Sequence, residues 1–300
     1  MTAERSEIGF YIPFWGSLSY LKDVVESVLA QTDDRWTLTV VNDAHPDGDV
    51  DKYFEELTDF RVRYIRLPEN VGITANFRYC VSLAVEPLVV ILGYDDLVLP
   101  RYVETVLRAY ELHPEATIIQ PGVRVIDAAG NTARTLVDSV KQRLLRPAAP
   151  NPVILEGDRL AASLMLGNWL YWPSLAFERD SLKKQDFRDE FSVIQDLALI
   201  LDLLIAGGRL LVIDVEVFCY RRHTGSASAA ELVDGARFRG EREFFRLAIR
   251  LAEPVGWRRT RRAARLHLTS RLHSLALVPR ALTRGDGRGL LELVRHTAGS

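Results

Sequence analysis

The sequence predicts an α/β protein: a mostly parallel sheet flanked by helices, followed by a helical C-terminal extension. Three observations carry this. The run Leu88-Val89-Val90-Ile91-Leu92 is apolar and mostly branched, as in a strand covered on both faces. Short apolar strands alternate with amphipathic helical stretches over the first hundred residues, the pattern of a doubly wound sheet. From Ala229 onward the chain is arginine-rich and helically patterned. Residues 1–228 and 229–300 are therefore read as two units.

The chain opens with a strand at Ile8–Ile12, and Pro13-Phe14-Trp15-Gly16 turns out of it. Ser17 or Ser19 caps a helix to about Ala30, with Leu21, Val24, Val25, Val28 and Leu29 on its apolar face. Trp36–Val41 is a second strand ending in Asn42-Asp43, and a helix follows over about Val50–Leu57. Arg61–Leu67 is the third strand, and Thr74–Ala84 is the helix leading to the strand Leu88–Leu92.

That strand ends in Asp95-Asp96, where open α/β sheets place their ligands. Adjacent carboxylates repel unless a cation or a hydrogen-bonded sugar neutralises them, and their hard oxygens suit Mg²⁺ or Mn²⁺. A helix cap is an equally good reading of the pair. A helix begins at Pro100, Thr117–Gln120 is a strand, and Val123–Ile126 is an edge strand. Arg134–Pro152 is a loop, and Glu156–Leu166 a helix. Asn168, Trp169, Tyr171 and Trp172 form either the wall of an acceptor cleft or an aromatic core plug. Asp196 stands near the start of the apolar helix Leu197–Ala206, Arg209–Val215 is the last strand, and Phe218–Ser228 is a polar loop.

Composition narrows the class. Of 300 residues 48% are hydrophobic and 26% charged, ordinary for a globular protein. Cys80 and Cys219 lack metal-site spacing and fit buried thiols in a reducing compartment. No signal peptide and no spanning apolar stretch is visible, so the expected location is the cytoplasm, peripheral to the membrane if the tail meets lipid. The net charge of −2 hides an asymmetry: fifteen arginines and five acids give residues 237–300 a charge of +10, leaving −12 for the first 236. That split does not suit nucleic-acid binding; it suits a tail facing anionic lipid, an acidic partner or a second subunit.

The dinucleotide fingerprint and the P-loop are both missing, but five short motifs occur in order: Val40-Val41-Asn42-Asp43, Asn70-Val71-Gly72 with Asn76, Tyr94-Asp95-Asp96, Gln195-Asp196, and Tyr220-Arg221-Arg222-His223. Over roughly Ile8–Ser228 the chain resembles a family 2 glycosyltransferase of the GT-A fold. The resemblance implies a nucleotide-diphosphate donor, UDP- or dTDP-linked, bound by Pro13, Trp15, Asp43, Asn70, Gly72, Asn76, Asp95 and Arg222. It implies a divalent cation, Mn²⁺ or Mg²⁺, on Asp96 and His223, and Asp196 as the base of an inverting transfer. The acceptor expected is a glycan, glycolipid or secondary metabolite of the cell envelope.

Two residues depart from the family's pattern: Gly93 stands where a first aspartate is common, and Gln195 replaces the usual glutamate. Their lost acids keep a second reading open, a catalytically silent nucleotide-sugar or polysaccharide-binding protein. A nucleotidyltransferase fits less well, because the loop after the first strand is aromatic rather than glycine- and lysine-rich.

Overall fold

Strand β1 (Ile8–Phe14) pairs in parallel on both sides, with β2 (Trp36–Asn42) and β4 (Leu88–Ile91), and β3 (Val62–Arg66) extends the sheet beyond β2. Helices α1 (Leu18–Leu29), α2 (Asp49–Glu56) and α3 (Ile73–Leu83) make the crossovers. The computed structural model describes residues 7–133, 146–147, 151–191, 194–223, 236–284 and 293–297. Among these lie β5 (Leu97–Val98), α4 (Tyr102–Leu112), β6 (Ile118–Ile126), β7 (Val153–Glu156), α5 (Gly157–Leu166), β8 (Ala176–Glu178), α6 (Arg179–Lys183), α7 (Gln195–Ile205) and β9 (Arg209–Arg221).

The strand order is β3-β2-β1-β4-β8-β6-β9-β5, with β7 also paired to β9. Strands β1–β4, β6 and β9 run one way, and β5, β7 and β8 run against them. The chain winds outward from β1 through β2 to β3, then returns to place β4 on β1's other side. A crevice opens at such a reversal, beyond the carboxyl ends of β1 and β4.

Several element boundaries differ from the sequence reading. Thr117–Gln120 and Val123–Ile126 are one interior strand, β6, between β8 and β9. A bulge at Pro121-Gly122 lets the chain pass a residue that cannot donate to a ladder, and a Cβ at Gly122 would fall 2.8 Å from the β9 backbone. Likewise β9 does not stop at Val215 but runs to Arg221, so Tyr220 and Arg221 are strand residues and not loop residues. The helix expected from Pro100 starts at Tyr102.

Two apolar clusters cover the sheet. On one face, Leu21, Val24, Val25 and Val28 of α1 and Val103 and Val106 of α4 pack with Phe10 and Ile12. On the other, α7 is buried around most of its circumference, as expected of a helix with apolar residues on every side. Its outer covering comes from the C-terminal helices α8 (Ala236–Ala252) and α9 (Arg258–Leu266), whose Phe244, Phe245, Ala263 and Ala264 join the same cluster. Each fully buried side chain of this kind contributes about 1.5–3 kcal/mol. The start of α9 is fixed from α5: Asp158 accepts N–H bonds from Arg259 (3.0 Å) and Thr260 (2.8 Å). These bonds outweigh burial and hold the Asp158 carboxyl below its usual range. At His267 the backbone takes φ 28°, which separates α9 from α10 (Leu268–Arg284). The helically patterned stretch after Trp257 is therefore two helices and not one.

Candidate active site

Gly93, Tyr94, Asp95 and Asp96 leave β4 at the crevice. Tyr94 lies across the loop after β1: a Cβ at Gly16 would meet its ring at 2.2 Å, so only glycine allows this approach. A Cβ at Gly93 would fall 2.6 Å from Asp96 Oδ2 and 3.1 Å from Asp95 Oδ1, so both carboxylates fold back over Gly93. A side chain there would displace them.

Asp96 is 1% exposed, and its Oδ1 accepts the backbone N–H of Arg221 at 2.8 Å. Burial, then the charge of Asp95, pushes its carboxyl well above the usual range. Asp95 is more accessible, and its Oδ2 accepts a 2.7 Å bond from His223 Nε2. The Arg221 guanidinium is buried against this pair: Nε donates to Asp95 O (2.7 Å), Nη1 to Ala128 O (3.1 Å), and Nη2 to Asp23 Oδ2 (3.1 Å). Its Cζ lies 4.7 Å from the centre of the Tyr20 ring, which also meets His223 at 5.1 Å.

The third carboxylate comes from α7. Asp196 Oδ1 accepts the Leu197 N–H at 2.7 Å at the N-terminus of that helix. Asp196 is linked to the β4 pair through Tyr220, whose hydroxyl burial pushes up to about 12. Asp96 adds to that shift, Asp95 and Asp196 add less, and Arg222 opposes it. Tyr171 packs on Tyr220 at 5.2 Å, and the Arg222 guanidinium sits 5.8 Å above the same ring. Six of the expected site residues thus gather around Tyr220 and the β4 tip: Asp95, Asp96, Tyr171, Asp196, Arg222 and His223.

A second group, at the tip of β2, is engaged differently. Asp43 is 2% exposed, and its two oxygens accept the N–H groups of Val71 (2.7 Å) and Gly72 (3.0 Å). Asn70 Nδ2 donates to Asp43 O, and Gly72 holds φ 83° to let the chain enter α3. Asn76 is buried and donates to Val41 O. In the present geometry Asp43, Gly72 and Asn76 brace the turn that shapes the crevice. Pro13 is half-buried, while Trp15 is 48% exposed and meets the His45 ring edge-on at 5.0 Å.

The aromatic run after α5 resolves largely into core. Trp169 is 1% exposed and donates from Nε1 to Ser163 Oγ, as the core-plug alternative expects. Trp172 packs among Phe77, Phe177 and Phe187, and the Asn168 side chain closes a turn onto Leu170 N. Tyr171 reaches the Tyr220 group. The last sequence motif contains Tyr220 and Arg221 without assigning them to the site, and no motif marks Asp23 or Tyr20. Strand alternation through Phe218–Arg222 would have marked Arg221 as inward-facing, had the segment been read as strand. Thr224–Ser226, the rest of that motif, lies outside the described residues.

Residues 10–157, a little under half of the chain, match the model of the glycosyl transferase family 2, and the sheet with its flanking helices has the GT-A topology. It is 27% identical over 138 residues to EpsE of Bacillus subtilis (strain 168), a protein named as a candidate glycosyltransferase. It is 29% identical over 129 residues to an uncharacterized glycosyltransferase of Rickettsia conorii (strain ATCC VR-613 / Malish 7). These matches cover 45% and 42% of this chain, and 46% and 21% of the relatives' own lengths. Among solved structures, S. aureus TarS 1–349 in complex with UDP-GlcNAc superposes with a TM-score of 0.64 at 12% identity, covering 97% of this chain and 90% of that one. The same protein with UDP gives a TM-score of 0.58 at 13% identity, with the same coverage.

Proposed function

We propose that this protein transfers a sugar from a nucleotide-diphosphate donor to a hydroxyl acceptor by single displacement with inversion. The observation that carries the reading is the grouping of Asp95, Asp96 and Asp196 around Tyr220 at the strand reversal of a chain that matches the family 2 model. A UDP-linked donor is favoured because the structural neighbour TarS is seen with UDP-GlcNAc and with UDP. Trp15 offers an exposed ring beside His45 on which a base can stack. Arg222, exposed at the same mouth, supplies positive charge for the phosphates. The acceptor we propose is a cell-envelope glycan, a glycolipid or a secondary metabolite.

Asp196 is assigned as the base. Its Oδ1 is held by Leu197 N–H, which orients the carboxylate to take the acceptor proton on its other oxygen. Asp95 and Asp96 are assigned to a divalent cation. Among the described residues no group of three His, Cys, Asp or Glu side chains is arranged to hold a metal. Two adjacent carboxylates still fit Mg²⁺ or Mn²⁺, which take their remaining ligands from phosphate and water and not from a protein cage. Asp96, whose proton affinity burial and Asp95 raise, gains most from such a neighbour. His223 enters this scheme by fixing Asp95. When bound, the ion would offset charge developing on the diphosphate leaving group.

Calorimetric titration with UDP, dTDP and GDP, each with Mn²⁺ and again with EDTA, tests the donor and metal assignments together. One nucleotide binding only with Mn²⁺ supports them and selects the donors for turnover assays. Binding unaffected by EDTA removes the metal assignment, and nucleotide binding without transfer to any acceptor favours the silent-binder reading.

A further inference from the structure

The basic C-terminal helices present one outward surface that the transfer chemistry does not use. On α9 the buried residues are Thr260, Ala263 and Ala264, held against α5 and α8, so Arg258, Arg262 and Arg265, spaced i, i+4, i+7, face outward. Among the described residues none of these three arginines has a carboxylate partner. Beyond the break at His267, α10 carries Leu268, Leu272 and Leu275 at the same spacing, with 49%, 64% and 53% exposure. The exposed stripe of α9 is cationic and that of α10 apolar, and the two follow one another in the chain at His267.

We propose that this surface docks the protein on an anionic lipid bilayer, the arginines meeting headgroup phosphates and the leucines entering the acyl boundary. Such a combination is what an interfacial helix presents to a membrane. The net charge of −12 on the first 236 residues disfavours approach of the body to the same bilayer, which favours an orientation with the C-terminal helices toward the lipid. A twofold dimer over the leucine stripe fits less well, because residues 268–284 contain no acid to meet the partner's arginines. No helix among the described residues is long and apolar enough to cross a membrane, so the contact is one of surface docking.

The test is co-sedimentation of the full chain with phosphatidylcholine vesicles, with and without phosphatidylglycerol. Anionic vesicles should capture the protein more than about tenfold better than neutral ones. The double variant Arg258→Glu/Arg262→Glu should erase that preference. The variant Leu272→Gln/Leu275→Gln should lower capture that survives high salt. Both changes are on exposed positions, and nucleotide binding by calorimetry should stay as in the parent, which separates this outcome from failure of the proposed transfer. Equal capture by both vesicle types, or capture unchanged in both variants, overturns the proposal. So does a dimer in sedimentation velocity that the leucine variant dissolves while lipid capture is absent.

Discussion

The backbone N–H of Arg221 donates to Asp96 Oδ1 at 2.8 Å, joining the end of β9 to the tip of β4 across 125 residues of sequence. The Arg221 side chain then ties Asp95 O and Asp23 to the same point. The carboxylate pair is therefore positioned by Arg221, the chain neighbour of the Arg222 expected to meet the donor.

Replacing Arg221 by Met leaves Asp23 and two carbonyls without their donor and removes the only buried cation beside the pair among the described residues. Removing one partner of such a network costs about 3 kcal/mol. Thermal unfolding should show a fall of several degrees, and nucleotide affinity should drop with it. Arg221→Lys should recover only part, since an ammonium cannot span three separate acceptors.

Asp43→Ala deprives the Val71 and Gly72 N–H groups of their acceptors, at about 1–3 kcal/mol. If Asp43 acts mainly as a brace, hydrogen exchange over residues 70–76 should accelerate in proportion to any loss of donor affinity. Lost affinity with unchanged exchange there would return Asp43 to direct donor contact.

Asp196→Asn should abolish transfer while donor binding remains. Asp96→Asn should weaken Mn²⁺-dependent binding yet leave the melting temperature level or higher, because a buried charge repelled by Asp95 is removed while Asn Oδ1 still accepts the Arg221 N–H. Unchanged turnover in either variant would sink its assigned role.

The C-terminal helices should loosen in acid. His296 is fully buried, and burial lowers its imidazole from the ordinary 6.5 to about 4. The folded chain thus binds fewer protons than the unfolded one between pH 6.5 and 4, and stability falls as pH drops through that window. Glu241 opposes the shift, while His267, Arg242 and Arg271 reinforce it. Asp158, whose carboxyl is held low, adds a further loss below its ordinary 3.8. Hydrogen exchange over residues 236–284 should rise at pH 4.5 relative to pH 7 while β1–β4 stay protected, and His296→Gln should flatten the limb above pH 4.

The sequence by itself determined the strand-helix alternation, because apolar period and turn residues are local signals. Leu88–Leu92 reads as a buried strand and Leu21–Val28 as a helical face in any context. The positions of Asp95, Asp96 and Asp196 at element ends were legible for the same reason. Tertiary structure decided which polar groups remain available. Whether Asp43 faces a ligand or the N–H groups of Val71 and Gly72, and whether Arg221 holds the carboxylate loop, depend on partners far away in sequence, and whether Trp169 lines a cleft or fills the core depends on the cluster that buries it. Burial and hydrogen bonding belong to the packed assembly, and no window of the chain contains both members of those pairs.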